Sequence, residues 1–247
     1  MPGSKPINNI DTDMNTIKEK PFKTLIIIPA YNEEGSIEST VNSLSKSTCT
    51  IDYLVVNDGS KDSTLSVLVS GRLHHLNLPV NIGLQGAVQA GLLYAQAHAY
   101  DCAIQFDGDG QHKAEFLPHI IEAIKKNECD VAIGSRFVTR KKPLSFRMLG
   151  SSLISLAIFL LTRHKITDPT SGMRAYSKDI IKLMIQNPSL GPEPDTIAYL
   201  IKLNKRVKEY QVEMDDRVTG VSYLNISASI KYMLRMMVSI IFIHPFR

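Results

Sequence analysis

Short apolar runs alternate with longer stretches in which apolar residues recur every three or four positions, and the alternation persists from residue 24 to residue 133. The short runs at 24–28, 53–56, 76–80, 102–106 and 131–133 are mainly aliphatic and read as buried strands. The stretches between them, at 34–45, 63–70, 85–99 and 114–126, read as amphipathic helices. Strands that alternate with helices predict β-α-β units and an α/β fold with a mainly parallel central sheet. Pro29 closes the first strand, Asn57-Asp58-Gly59-Ser60 the second and Asp107-Gly108-Asp109-Gly110 the fourth. All three loops then fall at the carboxyl edge of the sheet, where open α/β sheets bind their ligands.

Two apolar stretches are of another kind. Residues 149–161 carry no charge but are fewer than the roughly 20 that cross a bilayer, so they are expected to form a buried core helix or, as the alternative, an amphipathic helix lying in the headgroup region. Residues 224–243 are interrupted by Lys231 and Arg235, while Ile230, Met233, Leu234, Met237, Ile240 and Ile241 recur at helical spacing. That pattern predicts a C-terminal amphipathic helix lying on a membrane surface. The chain accordingly divides into a leader at 1–22 that takes no part in the fold, a single domain at 23–223 and a membrane-surface helix at 224–247. The first twenty residues are polar and lack the apolar core of a signal peptide, which points to a cytoplasmic protein, peripheral on the inner face of the cell membrane. Met14 is a candidate natural start.

Composition narrows the function. With 247 residues and 44% hydrophobic content the chain can build one large core. Its formal charge of +4 is modest, but Arg136, Arg140, Lys141, Lys142 and Arg147 form a run without acids. A local basic run of this kind suits a phosphate group rather than nucleic acid. Cys49, Cys102 and Cys129 are widely spaced, without a metal-ligand or redox pattern, and read as reduced structural thiols. The sequence leaves oligomerisation open.

The chemistry concentrates at Asp107 and Asp109. Side chains at i and i+2 of an extended segment point the same way, so the two carboxylates can face one hard cation while Gly108 and Gly110 let the chain turn. Asp and Gly are also common turn formers, and the tetrapeptide alone leaves both readings open.

Four motifs resolve the choice. Pro29-Ala30-Tyr31-Asn32-Glu33-Glu34, Asn57-Asp58-Gly59-Ser60-Lys61-Asp62, Asp107-Gly108-Asp109-Gly110-Gln111-His112 and Gly134-Ser135-Arg136-Phe137 stand in one order along the chain. In that order and spacing they resemble the family 2 glycosyltransferases of the GT-A (Rossmann-like) fold, and within them the dolichol- and polyprenyl-phosphate sugar synthase branch. The similarity runs from about residue 23 to about residue 235. It implies inverting transfer of a sugar from a UDP- or GDP-linked donor, with Mg²⁺ or Mn²⁺ held by Asp107 and Asp109, the latter the more direct ligand. The implied acceptor is polyprenyl phosphate at the membrane surface, with a sugar hydroxyl of a lipid-linked or cell-surface glycan as the alternative.

The resemblance also implies individual roles. Pro29, Tyr31 and Glu33 would border the nucleotide, Asp58 would accept a hydrogen bond from its base or ribose, and Gly83, ahead of a helix, would open backbone amides to the diphosphate or serve to cap that helix. Gln85 stands where many relatives carry a basic residue. Arg136 and Arg217 would grip phosphate, Arg217 together with Ser222 in a C-terminal loop folded over the donor. Asp168 would act as base or acceptor-orienting group with Arg174 nearby, and Glu193 and Asp195 are rivals for that role or caps of the following helix. An anionic acceptor phosphate needs no base, whereas a sugar hydroxyl does. His112 would line the acceptor side or, as lone histidines usually do, serve in packing or at the surface.

Overall fold

The computed structural model describes residues 21–45, 51–143, 145–215 and 226–240. The first half of the chain follows the predicted alternation: β1 (Thr24–Ala30), α1 (Ile37–Ser45), β2 (Asp52–Asn57), α2 (Thr64–Ser70), β3 (His75–Asn77), α3 (Gly83–Ala97), β4 (Cys102–Gln105), α4 (Leu117–Lys125) after a 3-10 turn at Ala114–Phe116, and β5 (Val131–Ser135). β3 stops at Asn77, short of the expected residue 80, and Pro79 beyond it has no N–H with which to extend a ladder. The second half adds α5 (Phe146–Thr162), β6 (Arg174–Ser177), α6 (Lys178–Gln186), α7 (Pro194–Lys202), β7 (Val207–Gln211) and α8 (Ile226–Val238). Neither β6 nor β7 is visible in the hydrophobic pattern. β6 has four residues and opens on an arginine, and β7 carries Lys208, Glu209 and Gln211 at the sheet edge.

The seven strands form one sheet in the order β3-β2-β1-β4-β6-β5-β7. β1 pairs in parallel with β2 on one side and β4 on the other, so chain direction across the sheet reverses its order at the β1/β4 boundary. A crevice opens outside the carboxyl ends at such a switch point. β6 runs antiparallel between β4 and β5. It brings the loop that precedes it, 167–173, back to the same edge.

Successive residues of β1 serve opposite layers. Leu25 and Ile27 pack with Leu54, Val56 and the helices α3, α5, α6 and α7. Ile26 and Ile28 pack with Val55 and the helices α1, α2 and α4 on the other face. Cys102 and Cys129 are buried unpaired thiols, as expected of structural cysteines, and Cys49 lies outside the described residues.

The two long apolar stretches depart from expectation. α5 buries Met148, Ile154, Ala157 and Ile158, but Leu149, Leu153, Leu156 and Leu160 stand on its outer side at 59%, 45%, 51% and 60% exposure. It is therefore a half-buried helix with an apolar outer stripe, not a core helix. α8 sends Met236 into the core, followed by Ile240, with Tyr232 and Met237 packed alongside. Leu234 and Val238 remain exposed beside Lys231 and Arg235. No helix among the described residues is long and apolar enough to cross a membrane. Of the leader expected at 1–22, residues 1–20 lie outside the described residues, and Phe22 packs against the core instead of standing apart from it.

Gly91 marks how closely α3 is laid on the sheet. A β-carbon there would stand 2.4 Å from Cγ2 of the buried Ile27 on β1. Alanine in mid-helix normally gains about 1 kcal/mol over glycine. Here the overpacking, about 1–3 kcal/mol, opposes it and involves a branched side chain that cannot swing away. Gly91→Ala is expected to lower the urea midpoint of unfolding; a raised midpoint would contradict this packing.

Candidate active site

The loops leaving β1 and β2 hold one another. The Asn32 amide donates to Ser60 Oγ (3.0 Å), the Lys61 amide donates to Asn32 Oδ1 (2.8 Å) and the Glu33 amide donates to Thr64 Oγ1 (2.8 Å). Asp62 accepts from the amides of Glu34 (3.2 Å) and Thr64 (2.9 Å). Asn32 takes φ 57°, a left-handed conformation that Asn tolerates better than most residues. The Ser36 hydroxyl donates to the Glu33 carboxylate (2.6 Å), so this acid shapes its own loop at the entry to α1.

Asp58 is 3% exposed. Its two oxygens each accept one amide from the start of α3, Ile82 on Oδ1 and Gly83 on Oδ2, both at 2.8 Å. A carboxylate is well placed there, because the first amides of a helix lack intrahelical acceptors and carry a partial positive charge. The expectation that Gly83 offers an open amide to a diphosphate is corrected by this bond: its N–H is committed to Asp58. Each carboxylate oxygen keeps a second lone pair, so Asp58 can still accept from a ligand. Gln85 turns its amide to the Pro188 carbonyl (2.7 Å) instead of the crevice.

A cavity of about 410 Å³ fills the switch point, lined by Pro29, Tyr31, Glu33, Asp58, Gly83, Asp107 and Asp109. Every residue that the resemblance assigned to the donor within the first 110 positions therefore shares one cavity. Arg217 and Ser222 lie outside the described residues. β4 ends at Gln105, so the two acids sit on a turn and not on the extended segment expected of them. Gly110 at φ 77° and the Thr40 hydroxyl, which donates to the Gly108 carbonyl (3.1 Å), shape that turn.

Asp107 Oδ1 accepts from the Gln105 side-chain amide (3.2 Å), and His112 Nε2 lies 3.3 Å from Oδ2. Burial opposes ionisation of Asp107, but the hydrogen bond and field of His112, the Gln105 amide and the Arg174 guanidinium outweigh it, and the carboxyl sits below the ordinary range. Asp109, 8% exposed, accepts the Gln111 amide on Oδ1 (3.1 Å). His112 is 3% exposed and packs against Phe106. It serves Asp107 and does not line the acceptor side as expected.

The donor set fits a hard divalent ion: two carboxylates on one cavity wall, one of them held ionised, with oxygen ligation only. No cluster of three or more His, Cys, Asp or Glu that could hold a metal occurs among the described residues. A cation at Asp107 and Asp109 would draw its remaining ligands from ligand and water oxygens.

The loop before β6 closes the other side of the crevice. Asp168 is fully buried, and Arg136 meets it with a two-pronged contact, Nε to Oδ2 at 2.7 Å and Nη2 to Oδ1 at 2.8 Å, while the Arg136 amide also reaches Oδ2 (3.1 Å). Burial works against the charge of Arg136, yet the hydrogen bonds and field of Asp168 and the field of Asp107 raise its pKa. Glu209 on β7 accepts the amides of Thr167 and Asp168, both at 2.7 Å. Of the two roles expected of Asp168, the geometry favours orientation over proton abstraction, because both oxygens are committed and neither meets solvent.

Arg174, expected to bind substrate beside Asp168, is corrected. It is 1% exposed and donates to the carbonyls of Ser171 (3.0 Å), Pro169 (2.6 Å) and Glu193 (3.2 Å), so it holds this loop together. Glu193 and Asp195 turn to the C-terminal helix region, where their carboxylates accept from the hydroxyls of Tyr232 and Ser239. Neither reaches the crevice as a rival of Asp168.

A second cavity, about 440 Å³, lies beyond the Arg136–Asp168 pair and is lined by Phe137, Arg140, Lys142, Leu156, Phe159, Lys165 and Thr167 among others. Lys142 Nζ donates to Ser151 Oγ (3.0 Å) and Ser155 Oγ (3.3 Å), and burial draws its pKa down against the fields of Asp168 and Glu209. Two residues of the basic run, Arg140 and Lys142, stand in the wall of this cavity. The apolar wall from α5 and the buttress from Glu209 carried no signal in the sequence.

The switch point of the sheet and the acids gathered at it define an α/β enzyme of the GT-A kind. The sequence model of glycosyl transferase family 2 matches residues 25–184, and the chain belongs to that family: it is a glycosyltransferase. It is 32% identical over 216 residues to the undecaprenyl-phosphate mannosyltransferase of Micrococcus luteus, covering 83% of this chain and 88% of that one. It is 31% identical over 180 residues to the UDP-N-acetylglucosamine–dolichyl-phosphate N-acetylglucosaminyltransferase of Methanococcus voltae, covering 64% and 71%. Its fold is similar to that of glucosyl-3-phosphoglycerate synthase from Mycobacterium tuberculosis, solved in complex with Mn²⁺ and UDP-glucose, at a TM-score of 0.63 and 16% identity over 88% of this chain and 78% of that one.

Gly172 is where the two sides of the crevice touch. A β-carbon there would stand 1.8 Å from Asp107 Oδ2. Gly172→Ala must displace the Asp107 carboxylate by more than an ångström, a shift that costs about a hundredfold in rate when it falls on a reacting centre. Sugar transfer is expected to fall by that order while circular dichroism stays unchanged; full activity in a folded variant would mean that the position of Asp107 is immaterial.

Proposed function

We propose that this glycosyltransferase moves a sugar, with inversion, from a UDP- or GDP-linked donor in the switch-point cavity to a polyprenyl phosphate in the basic cavity beyond Arg136. The observation that carries the reading is a basic cavity whose wall residues Phe137 and Thr167 flank the Arg136–Asp168 pair in the chain, while Asp107 of the acidic cavity acts on the same Arg136 guanidinium. Asp107 and Asp109 would hold Mg²⁺ or Mn²⁺, which supplies positive charge to the departing diphosphate. Pro29, Tyr31 and Asp58 would bound the nucleotide, with Asp58 accepting from its base or ribose. Arg217 and Ser222 would close over the donor from the segment after residue 215.

The acceptor half follows from the charge state of the nucleophile. A phosphate oxygen is anionic at neutral pH and can attack the anomeric carbon without a base. Asp168 then keeps the Arg136 fork in the plane that suits phosphate oxygens, and Arg140, Lys142 and Lys165 add charge around the cavity. An in-line attack in one step inverts the anomeric configuration. The lipid-phosphate acceptors in the names of the two relatives support this acceptor class. Such an acceptor is embedded in a bilayer, which puts the enzyme at a membrane surface, on the face where nucleotide sugars are available in the cytoplasm.

Two measurements test the halves separately. Asp109→Ala is expected to reduce Mn²⁺-dependent release of nucleoside diphosphate by about a hundredfold or more, since it removes a direct ligand; undiminished release would overturn the metal reading. Asp168→Asn is expected to raise the KM for a short polyprenyl phosphate while leaving much of kcat. Extinction of kcat with an unchanged KM would instead favour a sugar hydroxyl as acceptor, with Asp168 as its base.

A further inference from the structure

Among the described residues, the outer side of α5 has no partner that would explain its composition. Leu149, Leu153, Leu156 and Leu160 follow one another at spacings of four, three and four, which makes a single stripe along a helix about 25 Å long. All four are 45% exposed or more. Soluble surfaces carry scattered leucines routinely, but a contiguous stripe of them marks a surface that meets something apolar.

Charge indicates what that is. The chain has 28 basic and 24 acidic residues, yet between residues 131 and 167 there are seven basic residues and no acid. Outside this segment the acids are in excess. Lys141 before α5 and Arg163, His164 and Lys165 after it are exposed, so the stripe is bracketed at both ends by cations. α8, which sets Met233 against Gly150 of α5, exposes Leu234 and Val238 together with Lys231 and Arg235. Leucines between cations match the layered chemistry of a bilayer interface, acyl chains below and anionic headgroups at the rim. A second copy of the chain would instead confront these cations with their own kind.

We infer that the leucine stripe of α5 is the surface by which the protein lies on an anionic lipid bilayer. The assignment deepens the reading of a lipid-linked acceptor and rests on it only for the choice of a lipid partner. It gives the stripe a consequence for that reaction. Leu156 belongs to the stripe and also lines the basic cavity, so a bilayer in contact with α5 meets the mouth of the cavity from the same side.

The experiment is co-sedimentation of the full chain with vesicles of phosphatidylcholine alone and of phosphatidylcholine with phosphatidylglycerol. Wild-type protein is expected to pellet with the anionic vesicles. A Leu149→Gln/Leu153→Gln/Leu160→Gln variant, and separately a Lys141→Glu/Arg163→Glu variant, are expected to lose about tenfold or more of that partition while keeping the unfolding midpoint and metal-dependent donor hydrolysis. None of these five residues touches the donor cavity, and the charge variant leaves the stripe itself intact should the leucine variant fold poorly. Equal pelleting of wild type and both variants overturns the inference. So does a wild type that ignores anionic vesicles, or one that forms a dimer abolished by the leucine changes, which would make a second copy the occupant. Loss of donor hydrolysis with vesicle binding intact would count against the proposed reaction and not against this surface.

Discussion

A carboxylate taken out of water has to be met by donors, and in this protein the donors come from neighbouring loops. Asp58 draws in the start of α3, Asp62 ties the β1 and β2 loops, Glu209 holds Thr167 and Asp168, and Asp168 itself fixes Arg136. Asp58 and Asp168, both buried, satisfy that burial only when a second loop is in place, while the half-buried Asp62 and Glu209 tie loops at the rim. The loop geometry at the carboxyl edge is thus enforced by desolvation, and the crevice inherits its shape from that requirement.

The antiparallel strand β6 converts this edge into a two-sided site. Because it returns the chain between β4 and β5, the loop 167–173 arrives beside Asp107, close enough that only glycine fits at 172. Arg174, at the first residue of the strand, then clamps the loop by three backbone carbonyls, one of them from Glu193 at the entrance to α7. The buried guanidinium also contributes to the field that keeps Asp107 ionised. One residue therefore links the floor of the acidic cavity, the Asp168 loop and the helices behind it.

The half-buried character of α5 belongs to the same arrangement. Its inner residues meet the core and α8, its middle lines the basic cavity, and its outer leucines face away from the protein. An uncharged apolar segment reads as core from sequence because a core is the commonest place for it. Here the helix is asymmetric in burial without being asymmetric in polarity, and periodicity has nothing to detect.

What the sequence determined by itself was the alternation from β1 to β5, the carboxyl edge as the place of chemistry, and the acids and arginine that gather there. These are local matters: strand and helix periods, turn residues, and motifs of a few residues. What only the tertiary structure decided was how those groups are used. Gly83 loses its amide to Asp58, Arg174 and His112 turn inward to serve other residues, Asp168 is closed off by Arg136, and a polar edge strand supplies Glu209. The reason is that a side chain's role depends on which donors and acceptors lie within hydrogen-bonding distance of it, and for Asp58, Asp168 and Glu209 those arrive from residues 24 to 41 positions away, through a sheet order that no local pattern encodes.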